Sequence, residues 1–106
     1  MSEFGTVNDP AQFKATLAYS PLQNVKLHTD YPAVLMTTGA NDPRVAPWQS
    51  RKFTAALQNA TSSEQPILLL TRMNAGHGVG APFSQRVGDM AIMLTFFAHE
   101  LGLAAK

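Results

Sequence analysis

Residues 33–38 read Ala-Val-Leu-Met-Thr-Thr, and residues 66–71 read Pro-Ile-Leu-Leu-Leu-Thr. Both runs are short and almost continuously apolar, which is typical of strands buried on both faces of a parallel sheet. Between them, Pro47 marks the start of a predicted helix that extends to about Asn59. One side of this helix carries the apolar residues Phe53, Ala56, Leu57 and Ala60. The order strand, helix, strand predicts a right-handed parallel crossover and an α/β fold.

Two further helices flank this unit in the sequence. The first is predicted over residues 8–19, with Asn8 or Asp9 as its N-cap and Pro10 at its first position. The second runs from about Pro82 to Leu101. Its predicted apolar stripe consists of Val87, Ala91, Leu94, Ala98 and Leu101, broadened by Ile92, Phe96 and Phe97. The other large apolar residues expected in the core are Trp48, Phe53 and the methionines.

A sheet of only two parallel strands leaves both outer edges unpaired and has too few neighbours to bury both faces. We therefore expect the chain to be a piece of a larger doubly wound sheet, or to complete its sheet through a second copy of itself. In the second case, the exposed strand edges and the last helix are expected to drive formation of a homo-oligomer, most simply a two-fold dimer.

The composition excludes several classes of function. Of the 106 residues, 45% are hydrophobic, and eight Lys and Arg residues nearly balance seven Asp and Glu residues. Nucleic acid is therefore not an expected partner, since its binding depends on a basic excess. No apolar run approaches the roughly 18 residues that cross a bilayer, so no membrane partner is expected. The chain has no Cys, no metal or cofactor site is predicted from its spacing, and its localisation stays open.

Polar residues follow both predicted strands. Asp42 and Arg44 lie in the loop after the first strand, and His77 lies in the glycine-rich loop 74–80 after the second. The carboxyl ends of neighbouring parallel strands lie at one edge of a sheet, so these loops are expected to emerge together. Asp42 then reaches His77, which gives the carboxylate and imidazole of a catalytic triad in the chain order of α/β-hydrolases.

Each of these residues also has a simpler interpretation. An Asp in an Asn-Asp-Pro turn ordinarily accepts hydrogen bonds from nearby backbone amides. A His between two glycines is more often a loop residue than a catalytic one, and Arg44 fits a solvated or ion-paired arginine. Because the two loops follow two similar strands, a catalytic pair of Asp42 and His77 is favoured. The sequence spacing alone leaves open both this catalytic role and the simpler role of these residues in loop structure.

Five segments of the sequence occur in the order found in one peptidase family. They are Tyr19-Ser20-Pro21 with Asn24-Val25-Lys26, Tyr31-Pro32-Ala33, Asp42-Pro43-Arg44-Val45-Ala46-Pro47, Ser50-Arg51-Lys52-Phe53, and Ala75-Gly76-His77-Gly78. In these segments the chain resembles the carboxyl-terminal part of the prolyl oligopeptidase family of serine peptidases. The resemblance covers nearly the whole chain and implies the carboxyl-terminal piece of an α/β-hydrolase fold, with two parallel strands and about three helices.

The resemblance also implies roles for individual residues. Asp42 and His77 resemble the triad aspartate and histidine, Arg44 resembles the arginine that binds a substrate backbone carbonyl, and Val45 resembles a residue that walls the proline pocket. Pro43 stands where prolyl oligopeptidases often carry a second Asp. The sequence Asp-Pro-Arg-Val is also similar to the oligopeptidase B branch, so a preference for proline or for a basic residue stays open. The implied substrate of the full-length parent is a short peptide.

The nucleophile of such a peptidase is absent from these 106 residues. No Gly-x-Ser-x-Gly elbow occurs, and none of the six serines has the glycine neighbours that this strained turn requires. We therefore expect residues 1–106 to form only the carboxyl-terminal part of a catalytic domain and to be inactive alone. The alternative is a non-catalytic, self-associating interaction module derived from the same fold.

Overall fold

A computed structural model of the chain describes residues 5–72 and 83–103. It contains a two-stranded sheet, three α-helices and one 3₁₀ turn. In chain order the elements are α1 (Pro10–Tyr19), the 3₁₀ turn (Leu22–Asn24), β1 (Val34–Gly39), α2 (Pro47–Ala60), β2 (Ile67–Arg72) and α3 (Phe83–Glu100). The predicted α/β class, the two strands and the three helices are thus confirmed, with boundaries that differ by one or two residues.

The two strands are parallel neighbours, as the strand, helix, strand order predicts. Their register pairs Val34 with Ile67 at one end and Gly39 with Arg72 at the other. Just before the strands, the Val34 N–H donates to the Pro66 carbonyl at 2.9 Å, and Thr29 pairs with Thr61 in an isolated parallel bridge. The two strands therefore end level with each other, and the chain leaves both at the same edge of the sheet.

Helix α2 packs on the sheet and provides most of the small core. Its Leu57 and Ala60 are buried together with Ile67 of β2. Thr54, one turn before Leu57, is also buried, because its hydroxyl donates to the Ser50 carbonyl at 2.7 Å and needs no water. The Gln58 amide donates to the Ile67 carbonyl at 2.7 Å and so joins the helix to β2.

A side-chain amide holds the end of α1 and the turn that follows it. Asp9 caps the first turn of this helix by accepting from the Ala11 and Gln12 amides, as predicted for an N-cap. At the other end, Asn24 Nδ2 lies within hydrogen-bond distance of the carbonyl oxygens of Leu17, Ala18 and Ser20, at 3.0, 3.2 and 2.7 Å. These carbonyls include groups that a helix terminus leaves unpaired, so Asn24 fixes the exit of the chain from α1.

The strands are not covered on both faces, as expected for a sheet of only two strands: Thr37 is exposed and Leu68 is 46% exposed. Two other expectations about burial are wrong for the described residues. The apolar stripe predicted for α3 does not face the sheet: Val87, Ala91, Leu94 and Leu101 are exposed, and only Ala98 is half-buried. The half-buried positions of α3 are Gln85, Asp89, Met93, Phe96, Ala98 and Glu100. Trp48, expected in the core, is 53% exposed, whereas Phe53 is half-buried.

These differences have one physical cause. A two-stranded sheet and a single packed helix offer too little surface to cover every apolar face that the sequence carries. No residue of α1 or α3 is buried. None of the helices in the described part of the chain has the length and hydrophobicity that a membrane span requires.

The core at α2 predicts a large difference between two leucine truncations. Leu57→Ala is expected to lower the free energy of unfolding by about 2–4 kcal/mol, because Leu57 is 5% exposed and its removal leaves a cavity. Leu68→Ala on β2 serves as the matched control, since Leu68 is 46% exposed, and its expected cost is under half as large. Urea denaturation followed by circular dichroism measures both values; equal losses would contradict this assignment of the core.

Candidate active site

The loop after β1 is organised around the side chain of Asp42. Its Oδ1 accepts hydrogen bonds from the backbone N–H groups of Arg44 at 2.8 Å and Val45 at 2.9 Å. The Asp42 N–H donates to the Gly39 carbonyl at 3.3 Å, which turns the chain back at the end of the strand. The half-buried carboxylate is therefore held in one orientation by amides of its own loop. This geometry fulfils the turn-forming interpretation of Asp42 and also fits an oriented catalytic carboxylate.

The same hydrogen bonds place the next two residues at the surface. Arg44 is exposed, and Val45 is 41% exposed. Since Val45 lies two residues before the start of α2 at Pro47, its position is fixed by the Asp42 turn on one side and by the helix on the other.

Two cavities meet at this loop. The smaller, about 240 Å³, is lined by Thr37, Thr38, Gly39, Asp42, Val45, Ser50 and Arg72. The larger, about 430 Å³, is lined by Ser20, Pro21, Leu22, Met36, Val45, Trp48, Gln49, Ser50 and Phe53. Val45 and Ser50 line both, so they form the boundary between a cavity of mixed polarity at Asp42 and a mainly apolar one at Trp48.

Arg72 is a residue at this edge that the sequence pattern did not single out. It is the last residue of β2 and lies opposite Gly39, and its carbonyl accepts from the Ala40 N–H at 2.9 Å. Its guanidinium lies 3.6 Å from the Asp89 carboxylate of α3. A charged residue at the end of an otherwise apolar strand is the one signal that would have identified it.

The structure thus brings Asp42, Val45 and Arg72 to one cavity at the carboxyl edge of the sheet. His77, the predicted partner of Asp42, lies outside the described residues. In the sequence it is five residues beyond Arg72, the last residue of β2. Among the residues that the structure describes, no group of three His, Cys, Asp or Glu side chains is arranged to hold a metal ion.

Comparisons with known proteins agree on one family. The model of the prolyl oligopeptidase family matches residues 1–104. A prolyl endopeptidase of Elizabethkingia meningoseptica is 39% identical over 102 residues, which are 95% of this chain and 14% of that protein. A solved prolyl endopeptidase structure superposes with a TM-score of 0.90 at 35% identity, over 96% of this chain and 15% of its own. Oligopeptidase B from Leishmania major superposes with a TM-score of 0.86 at 28% identity, over 94% of this chain and 14% of its own.

The aligned region covers very different shares of this chain and of its relatives. Nearly all of this chain aligns, yet it spans about one seventh of the length of the proteins it matches.

Proposed function

The chain belongs to the prolyl oligopeptidase family, and on that premise we propose that residues 1–106 form the carboxyl-terminal part of the catalytic domain of a serine peptidase that hydrolyses short peptides. In this proposal Asp42 and His77 are two members of the catalytic triad, and the nucleophilic serine belongs to chain outside these residues. The observation that carries the proposal is the level parallel register of β1 and β2. Asp42 follows the end of β1 by three residues, and His77 follows the end of β2 by five.

The proposed chemistry divides the work between the two residues. The His77 imidazole takes the proton of the serine hydroxyl as the oxygen attacks the scissile carbonyl, and it then returns that proton to the leaving amine. Asp42 sets the tautomer of the imidazole and stabilises the imidazolium that forms. The two backbone amides that bind Asp42 Oδ1 support this role, because they orient the carboxylate before substrate arrives.

We assign substrate binding to Arg44 and Val45, which follow Asp42 in the same loop. In this proposal Arg44, which is exposed, donates hydrogen bonds to a substrate backbone carbonyl, and Val45 walls the pocket for the residue on the amino side of the scissile bond. The cavity of about 430 Å³ that begins at Val45 has no carboxylate among its described lining residues. A basic side chain would have no counter-charge there, so this lining favours proline over Lys or Arg.

Substitution of either proposed triad residue tests the assignment in the full-length peptidase that contains this chain. Asp42→Asn and His77→Ala are expected to lower kcat on a chromogenic prolyl peptide by about 10³-fold or more, since each removes a member of a unit that acts together. Asp30→Asn and His28→Ala are the matched controls, because both residues are exposed and lie in the loop before β1. Retention of a tenth or more of the wild-type kcat by either triad variant would refute the assignment.

The isolated chain provides a second test. The 106 residues are expected to show no hydrolysis of the same peptide, because an acid and a base without a nucleophile cannot form the acyl intermediate. Release of the chromophore that a serine-directed inhibitor abolishes would contradict this expectation, and full-length peptidase in the same assay serves as the positive control.

A second candidate function is a self-associating module without catalysis. The exposed apolar side chains of α3 favour it, among them Phe83, Val87, Ile92, Leu94 and Phe97, each 46–73% exposed. Exposed apolar side chains on one helix provide surface that favours association in water.

For this alternative, the isolated chain is expected to sediment as a two-fold dimer at concentrations on the order of tens of micromolar. Leu94→Glu, which places a charge on the exposed side of α3, is expected to shift the chain to monomer. Analytical ultracentrifugation distinguishes the two forms, and a compact wild-type monomer in that range would exclude the module.

A further inference from the structure

The ion pair between Arg72 and Asp89 links the last residue of β2 to the second turn of α3. The Arg72 Nη1 and Asp89 Oδ2 atoms lie 3.6 Å apart, and their side chains are only 20% and 16% exposed. In sequence the two residues stand on either side of residues 73–82, which connect β2 to α3. The pair therefore ties together the two elements that flank this connection.

Within the described residues, this pair is the polar side-chain contact that joins α3 to the sheet. The other side-chain interactions of the helix stay inside it: Thr95 with the Ala91 carbonyl, His99 with Glu100, Phe96 with Phe97, and Arg86 over the ring of Phe83. No residue of α3 is buried. The apolar contacts of this helix are limited to half-buried side chains such as Met93 and Phe96, and the ion pair is a specific contact that relates the helix to the end of β2.

Arg72 is also tied to the loop that carries Asp42. The Ala40 N–H donates to its carbonyl at 2.9 Å, and its side chain lines the cavity of about 240 Å³ together with Asp42. One residue therefore couples the Asp42 loop, the end of β2 and the start of α3.

The pair is poorly arranged for stability alone. Arg72 Nε and Asp89 Oδ2 are buried and have no hydrogen-bond partner among the described residues. Desolvation of two charges is costly when their hydrogen bonds are incomplete, so a pair of this kind is weak as a source of stability. Buried polar atoms without a hydrogen-bond partner are rare in native structures, so this pair requires an explanation.

We propose that Arg72 and Asp89 are positioning residues, which hold α3 at a fixed place against the end of β2 and thereby set the location of the His77-bearing connection relative to Asp42. This inference rests on the proposed function. It assigns no contact with substrate to either residue, since Arg44 and Val45, the proposed substrate contacts, are held by the separate Asp42 turn.

The test uses the full-length peptidase, with an irreversible serine-directed inhibitor to count active sites. Asp89→Asn keeps the shape of the side chain but removes its charge, and it is expected to lower kcat per titrated site about 10-fold or more, with KM within about twofold of wild type. The exchange variant Arg72→Asp with Asp89→Arg is expected to recover kcat to within about threefold of wild type. Asp30→Asn, at an exposed carboxylate, is the control with unchanged kcat.

Asp89→Glu distinguishes an effect on the position of α3 from an effect on the stability of the fold. It keeps the charge and lengthens the side chain by one methylene, so it moves the helix without breaking the pair. We expect kcat to fall about threefold or more with KM unchanged. If Asp89→Asn yields no titratable active sites, Asp89→Glu alone tests the positioning role. Wild-type kcat in Asp89→Glu, an increase in KM with unchanged kcat, or an exchange variant that titrates fully but stays as slow as Asp89→Asn would overturn the proposal.

Asp42→Asn and His77→Ala, measured alongside, keep the two proposals distinct. Active triad variants would refute the proposed function itself. Inactive triad variants combined with normal Asp89 variants would refute only the positioning role.

Discussion

The parallel pairing of β1 with β2 is the constraint on which the rest of the structure depends. Six residue pairs from Val34–Ile67 to Gly39–Arg72 align the two strands so that they end level. The described part of the candidate site follows from that alignment, because the Asp42 turn and Arg72 line one cavity at this edge of the sheet. A shift of the register by one residue would move Arg72 away from Gly39 and change that cavity.

Burial is distributed very unevenly around this sheet. The side of β2 that meets α2 is closed by Leu57, Ala60 and Ile67, whereas α1 and α3 present most of their apolar residues to the outside. Both of these helices make polar side-chain contacts to neighbouring segments: Asn24 lies within hydrogen-bond distance of the Ser20 carbonyl at the end of α1, and Arg72 of β2 is ion-paired with Asp89 of α3. This distribution is consistent with a chain that spans about one seventh of the length of its relatives.

The periodicity of the sequence predicted the strands, the helices and their parallel connection, because short apolar runs and proline starts act locally. The same periodicity did not predict burial correctly where burial depends on the neighbouring helices and strands. The stripe of α3 is apolar in sequence but exposed, and the pattern passed over Thr54 because a hydroxyl bonded to its own helix is as readily buried as an apolar group. At the candidate site, Asp42 and Arg44 were singled out because they lie in the loop after a strand, whereas Val45 was singled out only through the family resemblance. Arg72 escaped notice because its partner Asp89 is seventeen positions away, and only the folded chain brings them together.

The amides that bind Asp42 come from residues two and three places along the same chain, so the aim of the carboxylate is a property of one short stretch of backbone. The loop geometry that orients Asp42 is thus encoded within residues 42–45, next to the end of β1. In the proposed site the imidazole belongs to a different segment, which follows β2 in the sequence. The carboxylate and the base therefore come from separate stretches of the chain, and a change to residues 42–45 acts on the orientation of the carboxylate first.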